Sequence, residues 1–264
     1  MGLEFAPKFT SPPNHNVASR VSAAFSFWRN SSFLKFLLVI LLVTASAAQT
    51  PQPTKVEPKT VRKNDLKIID KPIQFDQERI RLTQEYMRKH YAIEQNDITI
   101  KPQAIVLHYT AINSFLSTWN YFNRTRIEAE RPELQRESEL NVSAQFLVDR
   151  DGTIYRLMPE NWMARHCIGL NHVAIGVENV GDEKDFPLTD AQVDADAALV
   201  RYLATEFPIV YLLGHQEYRR MEQTPLFHEE VAGYRTGKSD PGEDFMRHVR
   251  AKLADLDLKA PPGT

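Results

Sequence analysis

Two kinds of hydrophobic periodicity alternate along the chain. Short apolar runs, whose neighbouring side chains point to opposite faces, predict β-strands. These runs are residues 104–109, 173–180 and 210–214. Longer segments, in which apolar positions recur every three or four residues, predict amphipathic helices. These segments are residues 75–91, 115–124, 189–207 and about 241–256.

Turn and capping signals sharpen this pattern. Residues 143–149 and 153–158 alternate apolar and polar side chains on either side of Arg150-Asp151-Gly152, which predicts a β-hairpin. Thr189 precedes the clearest helix with Gln192 at the capping-box position. Strands that alternate with helices, together with one hairpin, predict an α/β fold with a central mixed β-sheet flanked by helices.

The N-terminal residues differ in character from the rest of the chain. Residues 33–44 are almost wholly apolar, basic residues precede them, and Ala45-Ser46-Ala47 follows as a small-x-small cleavage pattern. We therefore predict a cleaved signal peptide at residues 1–47, with a retained membrane anchor as the alternative. The proline-containing residues 48–72 predict a linker. We expect residues 73–258 to form a single folded domain and residues 259–264 to form a tail.

Charge and cysteine content restrict the function classes. The formal net charge is −2, and removal of residues 1–47 changes it to −5, which offers no basic footprint for nucleic acid. The export signal predicts a periplasmic or secreted protein that meets the membrane only through that signal. Cys167 is the single cysteine, so an intramolecular disulfide is excluded. We expect a monomer.

Three residues distant in sequence are candidate metal ligands. His108 and His215 each lie at the carboxyl end of a predicted strand, where two imidazoles can converge on one metal. Asp240 is the third candidate, although an Asp before Pro241, with Glu243 three residues on, also has the pattern of a helix cap. Two histidines and one carboxylate leave the fourth position of a tetrahedral metal open to water.

Glu178 is the candidate acid or base. In its strand it shares a face with Ala174 and Gly176, whose small side chains leave room for a ligand. A carboxylate in so apolar a strand is costly to bury without a partner. Glu178 is therefore either paired or, as we favour, directed into a wet cleft.

Six ordered motifs give the chain a specific family resemblance over roughly residues 100–255. They are VLHYTA at 106–111, VSA at 142–144 with the hairpin DRDGTIY at 149–155, ARH at 164–166, IGVE at 175–178, GH at 214–215 and KSDPG at 238–242. In this order they resemble the N-acetylmuramoyl-L-alanine amidase type 2 family, which is related to peptidoglycan recognition proteins. Any one of these motifs would be a weak signal, and their common order makes the signal strong.

The resemblance implies a zinc amidase that acts on peptidoglycan or on soluble muropeptides. It implies a Zn²⁺ bound by His108, His215 and Asp240, with Glu178 and Lys238 as the catalytic pair. The substrate amide would be the bond between N-acetylmuramic acid and L-alanine. Cleavage of that bond would serve wall remodelling, turnover or lysis.

The resemblance also suggests residues that line the substrate groove. His166 is expected to bind substrate or to support a ligand, and Asn171, Tyr109 and Thr110 are further substrate-binding candidates. Gln145 stands where relatives often have an aromatic residue or a histidine.

Two loops depart from the family pattern. The segment between the last two ligand candidates, residues 216–239, is longer than usual and contains His228, which could replace Asp240 as a ligand. The charged residues 125–141 predict a surface excursion that contributes to the rim of the groove. We expect these two segments to set substrate specificity.

Two other functions fit parts of the sequence. One is a non-catalytic module that binds peptidoglycan, since some recognition proteins resemble this family but lack a full site. The complete set of five candidate residues argues for catalysis. The other is a cysteine hydrolase built on Cys167 and its neighbour His166, although adjacency in sequence does not establish a hydrogen bond between them.

Overall fold

The computed structural model describes residues 66–264. The predicted signal peptide and residues 48–65 of the predicted linker lie outside this range. The strands are β1 Ile68–Asp70, β2 Ala104–Tyr109, β3 Phe146–Val148, β4 Ile154–Arg156, β5 Ala174–Asn179 and β6 Tyr211–Gly214. The α-helices are α1 Gln77–Tyr91, α2 Phe115–Phe122, α3 Pro132–Gln135, α4 Asp190–Glu206 and α5 Glu243–Lys252, and a 3₁₀ helix spans His215–Gln223.

The six strands form one mixed sheet in the order β1-β4-β3-β5-β2-β6. β2 lies between β5 and β6 and is parallel to both, whereas β3 and β4 form the antiparallel hairpin expected from the turn at residues 150–152. Because β2, β5 and β6 run in the same direction, their carboxyl ends meet at one edge of the sheet. The predicted mixed sheet flanked by helices is confirmed.

Each face of the sheet packs against its own helices. Ala104 and Val106 of β2 point to the face covered by α1, and Ile105 and Leu107 point to the face covered by α4 and α5. This alternation follows from the two-residue period of a strand, and all four side chains are buried. The sheet is therefore the middle of three layers, and residues near its edge are held on a rigid support.

Helix α4 begins as its sequence predicts. The Thr189 side chain accepts a hydrogen bond from the Gln192 backbone N–H, and the Gln192 side chain accepts one from the Thr189 backbone N–H. These two contacts satisfy backbone donors that a helix leaves unpaired at its start, and each such cap contributes about 1 kcal/mol.

Both predicted ends of the folded body differ from the structure. Strand β1 lies within the range assigned to the linker and pairs in parallel with β4, so the sheet begins before residue 73. The predicted tail packs along β6: the Lys259 N–H donates to the Val210 carbonyl over 2.8 Å, and the Lys259 carbonyl accepts from the Leu212 N–H. The prolines near β1 and the shortness of the segment at Lys259 gave no sign in the sequence that either segment would hydrogen-bond to a distant strand.

The predicted surface excursion at residues 125–141 is only partly exposed. It contains α3, and its Ile127, Leu134 and Leu140 are buried in the core beside α1. Charged residues between these three positions hide the apolar pattern in the sequence. Within residues 66–264, none of the helices combines the length and the apolar character needed to span a bilayer.

Candidate metal centre and active site

The three candidate ligands meet at the carboxyl edge of the sheet. His108 lies near the end of β2, His215 directly follows β6, and Asp240 precedes α5. The Nδ1 atoms of His108 and His215 are 3.0 Å apart, and Oδ2 of Asp240 is 3.1 Å from each of them. All three residues are buried. Side chains separated by up to 132 positions in sequence thus present one nitrogen or oxygen each to a common point.

The geometry of this triangle fits a small divalent cation. A tetrahedral zinc with bonds of about 2.0–2.1 Å places its ligand atoms about 3.4 Å apart, and the observed separations of 3.0–3.1 Å are only slightly shorter. If both imidazoles instead donated to Asp240, their two Nδ1–H groups would face each other at 3.0 Å, which is unfavourable. A donor set of two imidazoles and a carboxylate is typical of catalytic zinc sites.

The charges in this cluster depend on one another. Burial lowers the pKa of His215 to about 4, which keeps its imidazole neutral and able to bind a metal. Burial alone would raise the pKa of Asp240, but contacts with His215 and His108 hold that pKa well below its usual range. Asp240 is thus an ionised carboxylate at neutral pH.

Asp240 does not cap helix α5. The N-cap residue of that helix is Gly242, and it makes no side-chain capping contact. The carboxylate of Asp240 instead contacts both histidines. Of the two interpretations that the sequence left open for Asp240, the structure favours the ligand.

His166 supports His108 from the side away from the triangle. Its Nδ1 is 3.1 Å from Nε2 of His108, and its own Nε2 is 3.3 Å from the Ala174 carbonyl. If the Nε2–H of His166 donates to that carbonyl, its Nδ1 accepts a hydrogen bond from the Nε2–H of His108, which leaves Nδ1 of His108 unprotonated and able to bind a metal. Burial holds the pKa of His166 well below its usual range, so this neutral form persists.

Gly176, which lies two residues before Glu178 in β5, makes room for the ring of His166. A Cβ atom on Gly176 would lie 2.7 Å from Cγ of His166, closer than any real contact. The open space that the sequence indicates beside Glu178 is therefore occupied by the His166 ring. Any larger residue at position 176 would displace the ring that orients His108.

Glu178 lines a cavity of about 310 Å³ that also contains the triangle. It pairs directly with His108 in the register of β5 and β2. Its Oε2 atom is buried and makes no hydrogen bond within residues 66–264. Burial raises the pKa of Glu178 to about 7, so the carboxyl group can take up or release a proton near neutrality.

Lys238 lines the same cavity and is half-buried. Its charge is among those that lower the pKa of Glu178 and of His215. Glu178, Lys238 and the three candidate metal ligands therefore line one cavity. This arrangement suits hydrolysis of a carbonyl compound, since it offers a proton carrier and a stabilising charge at one place.

The remaining substrate-binding candidates also line the cavity. The Tyr109 hydroxyl is 2.9 Å from the Ser239 hydroxyl, and the Thr110 hydroxyl donates to the Ile112 carbonyl. Both residues are half-exposed. Contact of Tyr109 and Thr110 with substrate stays a prediction.

Asn171 lines the cavity but is fully buried, and its side chain is already engaged. Its Oδ1 accepts from the backbone N–H groups of His166 and Cys167, and its Nδ2 donates to the Tyr91 hydroxyl over 2.9 Å. The structure therefore gives Asn171 a role in positioning the loop that carries His166. Direct contact between Asn171 and substrate is an expectation that this geometry does not favour.

The structure also locates His228, Gln145 and Cys167, whose roles the sequence left open. His228 is not a member of the triangle, and its Nε2 contacts Glu230 over 2.7 Å at the exposed surface. Gln145 bonds to the Gly176 N–H and to the Trp162 carbonyl, and it does not line the cavity. Burial raises the pKa of Cys167 far above its usual range, which leaves an inert thiol rather than a nucleophile.

Residues 216–239 are fastened to the body of the protein at several points. His90 of α1 contacts Glu229 over 2.7 Å, and both side chains are fully buried. The Glu230 N–H donates to the His90 carbonyl, and the Tyr234 hydroxyl accepts from Arg165. These contacts hold residues 216–239 against the body of the protein, and Lys238 of this segment lines the cavity.

Arg165 joins the two unusual segments, a function that sequence reasoning missed. Besides Tyr234, its guanidinium donates to the carbonyls of Leu134, Ser138 and Leu140 in residues 125–141. The motif ARH marks Arg165, but its partners lie 25 to 69 positions away and have no local signature. Arg131, from the same segment, lines the cavity and was also missed.

Comparisons with known proteins were made for sequence and for structure. The model of the family described as N-acetylmuramoyl-L-alanine amidase matches residues 80–243. A comparison with curated protein sequences gives no match.

Solved structures similar to the chain include amidases and a recognition protein. The endolysin N-acetylmuramoyl-L-alanine amidase LysCS of Clostridium intestinale is 25% identical, with 73% of this chain and 97% of that one covered and a TM-score of 0.43. AmpD is 25% identical over 58% of this chain and 84% of its own, with a TM-score of 0.41. Peptidoglycan recognition protein LE, solved in complex with tracheal cytotoxin, is 16% identical over 52% and 89%, with a TM-score of 0.37. Because these TM-scores are low, the family assignment depends on the match over residues 80–243.

Proposed function

Since the chain belongs to the N-acetylmuramoyl-L-alanine amidase family, we propose that it hydrolyses the amide bond between N-acetylmuramic acid and L-alanine with the help of a bound Zn²⁺. The substrate would be peptidoglycan or a soluble muropeptide. The observation that carries the proposal is the triangle of His108, His215 and Asp240, which opens into the cavity that Glu178 and Lys238 line. Supporting this, the triangle has the donor types and spacing of a catalytic zinc site.

The bound zinc would supply a Lewis acid and a water of lowered pKa. Glu178 takes the proton from the attacking water and later passes a proton to the leaving amine, for which a pKa of about 7 is well matched. Lys238 offers positive charge to the oxyanion that develops on the former carbonyl. His166 holds the His108 ring so that Nδ1, and not Nε2, faces the metal position.

Peptide release and metal content test this function together. Purified protein incubated with peptidoglycan should release stem peptides with a free L-alanine amino group, and a chelator should abolish the release. Metal analysis should find about one zinc per chain, and His215→Ala should lose both zinc and activity. Binding to peptidoglycan with no peptide release would instead support the non-catalytic recognition module.

Export and oligomeric state concern the protein as a whole. We propose that the chain is exported by residues 1–47 to the periplasm or the medium and acts there as a monomer. N-terminal sequencing of the protein recovered from a periplasmic fraction should begin close to residue 48, and its mass in solution should equal that of one chain. Recovery of the full-length chain with the membrane fraction would favour the anchor.

A further inference from the structure

One cation in the cavity wall has no part in the chemistry described above. Arg131 is half-buried, lines the cavity and belongs to residues 125–141. Its charge also reaches the reactive group: burial raises the pKa of Glu178, and Arg131 is among the charges that oppose that rise. Arg131 therefore lines the same cavity as Glu178 and the three candidate ligands.

The guanidinium is held in place but not neutralised by a direct ion pair. Arg131 Nη1 donates to the Tyr121 hydroxyl over 3.1 Å, and that hydroxyl donates in turn to Oε1 of Glu128 over 2.7 Å. Within residues 66–264, Arg131 takes no part in ion pairs like the one between Arg126 and Glu78 at the surface. The aromatic hydroxyl thus orients one edge of the guanidinium and leaves its other N–H groups for a ligand.

The other cations of the wall are committed elsewhere. Both Nη groups of Arg165 are engaged, since they donate to three backbone carbonyls and to the Tyr234 hydroxyl. Lys238 is assigned to the oxyanion in the proposed reaction. Arg131 is the remaining guanidinium among the residues that line the cavity, and a planar fork of donors matches a carboxylate.

We propose that Arg131 binds a carboxylate of the leaving peptide and makes the enzyme selective for acidic stem peptides. This inference rests on the proposed function. The lactyl carboxyl group is consumed in the scissile amide, so the sugar side of the bond presents no anion there. Free carboxylates lie on the peptide side, and the one nearest the scissile bond belongs to the second amino acid.

A pair of substrates that differ in one group tests the inference. N-acetylmuramoyl-L-alanyl-D-glutamate carries that carboxylate, whereas N-acetylmuramoyl-L-alanyl-D-isoglutamine carries a neutral carboxamide in its place. The wild-type enzyme should cleave the carboxylate substrate with kcat/KM higher by about 10- to 100-fold. Arg131→Gln should bring this ratio close to one, and Arg131→Lys should keep part of it, because the charge remains but the fork is lost.

Arg136→Gln is the matched control, because Arg136 is exposed on the same segment and does not line the cavity. It removes the same charge and should leave the ratio unchanged. Equal losses on both substrates in Arg131→Gln, or a wild-type ratio of one, would overturn the inference. If only polymeric wall is cleaved, the same ratio is measured on two wall preparations that contain glutamate or isoglutamine.

The outcomes separate this inference from the proposed function. Zinc-dependent cleavage of the carboxamide substrate or of isoglutamine-containing wall supports amidase function whatever Arg131 does. Failure to cleave any substrate in the presence of zinc removes the function itself. A thermal melt of each variant shows whether it is folded. If Arg131→Gln does not fold, the substrate ratio is measured on Arg131→Lys instead.

Discussion

Glu178 shows how a single side chain acquires its chemistry from its surroundings. In water its carboxyl group would be ionised at neutral pH, but burial beside the triangle of candidate ligands raises its pKa to about 7. The strand that carries it supplies Gly176 two residues earlier, and the space there admits His166. Gly176 therefore allows His166 to pack beside β5 and to contact His108, one of the candidate metal ligands.

The role of Glu178 can be separated from metal binding. Glu178→Gln keeps the size and polarity of the side chain but cannot exchange a proton, so turnover should fall by about 10²- to 10⁴-fold. Zinc content should remain at the wild-type value, because Glu178 is not a member of the triangle. Both quantities are measured by a peptide-release assay and by metal analysis of the same sample.

Glu183→Gln provides the control for that substitution. Glu183 is exposed, does not line the cavity, and its loss should change neither activity nor zinc content. Unchanged turnover in Glu178→Gln would remove Glu178 from the mechanism.

At the scale of elements, α4 and β5 meet through two buried polar side chains. Asn179 Nδ2 donates to Asp196 over 2.9 Å and also approaches the His108 carbonyl at 3.2 Å. Oδ1 of each of the two side chains is buried and makes no hydrogen bond within residues 66–264. Burial raises the pKa of Asp196 from 3.8 to about 7. The pair ties the helix to the strand end that carries the site, at a cost in stability when Asp196 ionises.

This cost predicts a pH-dependent effect of Asp196→Asn. The folded carboxyl group binds its proton more tightly than the unfolded one, so Asp196 lowers stability progressively as pH rises from 3.8 to about 7. The asparagine variant should therefore be more stable than wild type by about 2–4 kcal/mol above pH 7, and this gap should shrink as pH falls. Denaturant unfolding at several pH values measures it.

Asp194→Asn is the control on the same helix. Asp194 is exposed and pairs with Lys252 at the surface, so its substitution should produce no comparable pH-dependent gain. A gap between Asp196→Asn and wild type that does not change with pH would contradict burial of an ionisable Asp196.

For the whole molecule, a metal in the triangle would add a link between segments that backbone hydrogen bonds already join, since β2 pairs with β6 and the Gln216 N–H donates to the Asp240 carbonyl. The three ligands come from β2, from the start of the 3₁₀ helix and from the residues before α5. A ligand that binds only the folded state stabilises it by about 2.7 kcal/mol at a hundredfold excess over its dissociation constant. For a domain of this size, that energy corresponds to a rise in Tm of roughly 5–10 °C.

Thermal melts with added zinc and with a chelator measure this coupling. Wild type should melt at the higher temperature with zinc, and Asp240→Asn should show little difference between the two conditions, because it has lost an ionised ligand. Equal melting temperatures of the wild type in zinc and in chelator would show that the triangle does not hold the metal.

Much of the architecture could be predicted from the sequence. The bounds of β2 agree with the predicted strand, α1 and α4 agree within two residues, and the hairpin and the capping box at Thr189 are as expected. These features depend on neighbours a few positions apart, so local periodicity and turn chemistry record them. The order of family motifs also predicted the membership that the match over residues 80–243 supports.

Other features were decided only when distant segments met. Whether Asp240 caps a helix or faces two histidines depends on where β2 and β6 end, and the sequence allows both. Asn171, Gln145 and Arg165 act through partners that have no local signature. Likewise, β1 and Lys259 belong to the sheet because separate strands accept their hydrogen bonds.

The physical reason for this division lies in the range of the interactions. Side-chain periodicity and capping act over one or two turns of chain, so the sequence by itself determined most of the longer helices and strands, the fold class and the residue types available for chemistry. Burial, the pKa of Glu178 and the spacing of the three ligand atoms depend on groups brought together through space. Only the tertiary structure decided these, and it also placed Arg131 in the wall of the cavity.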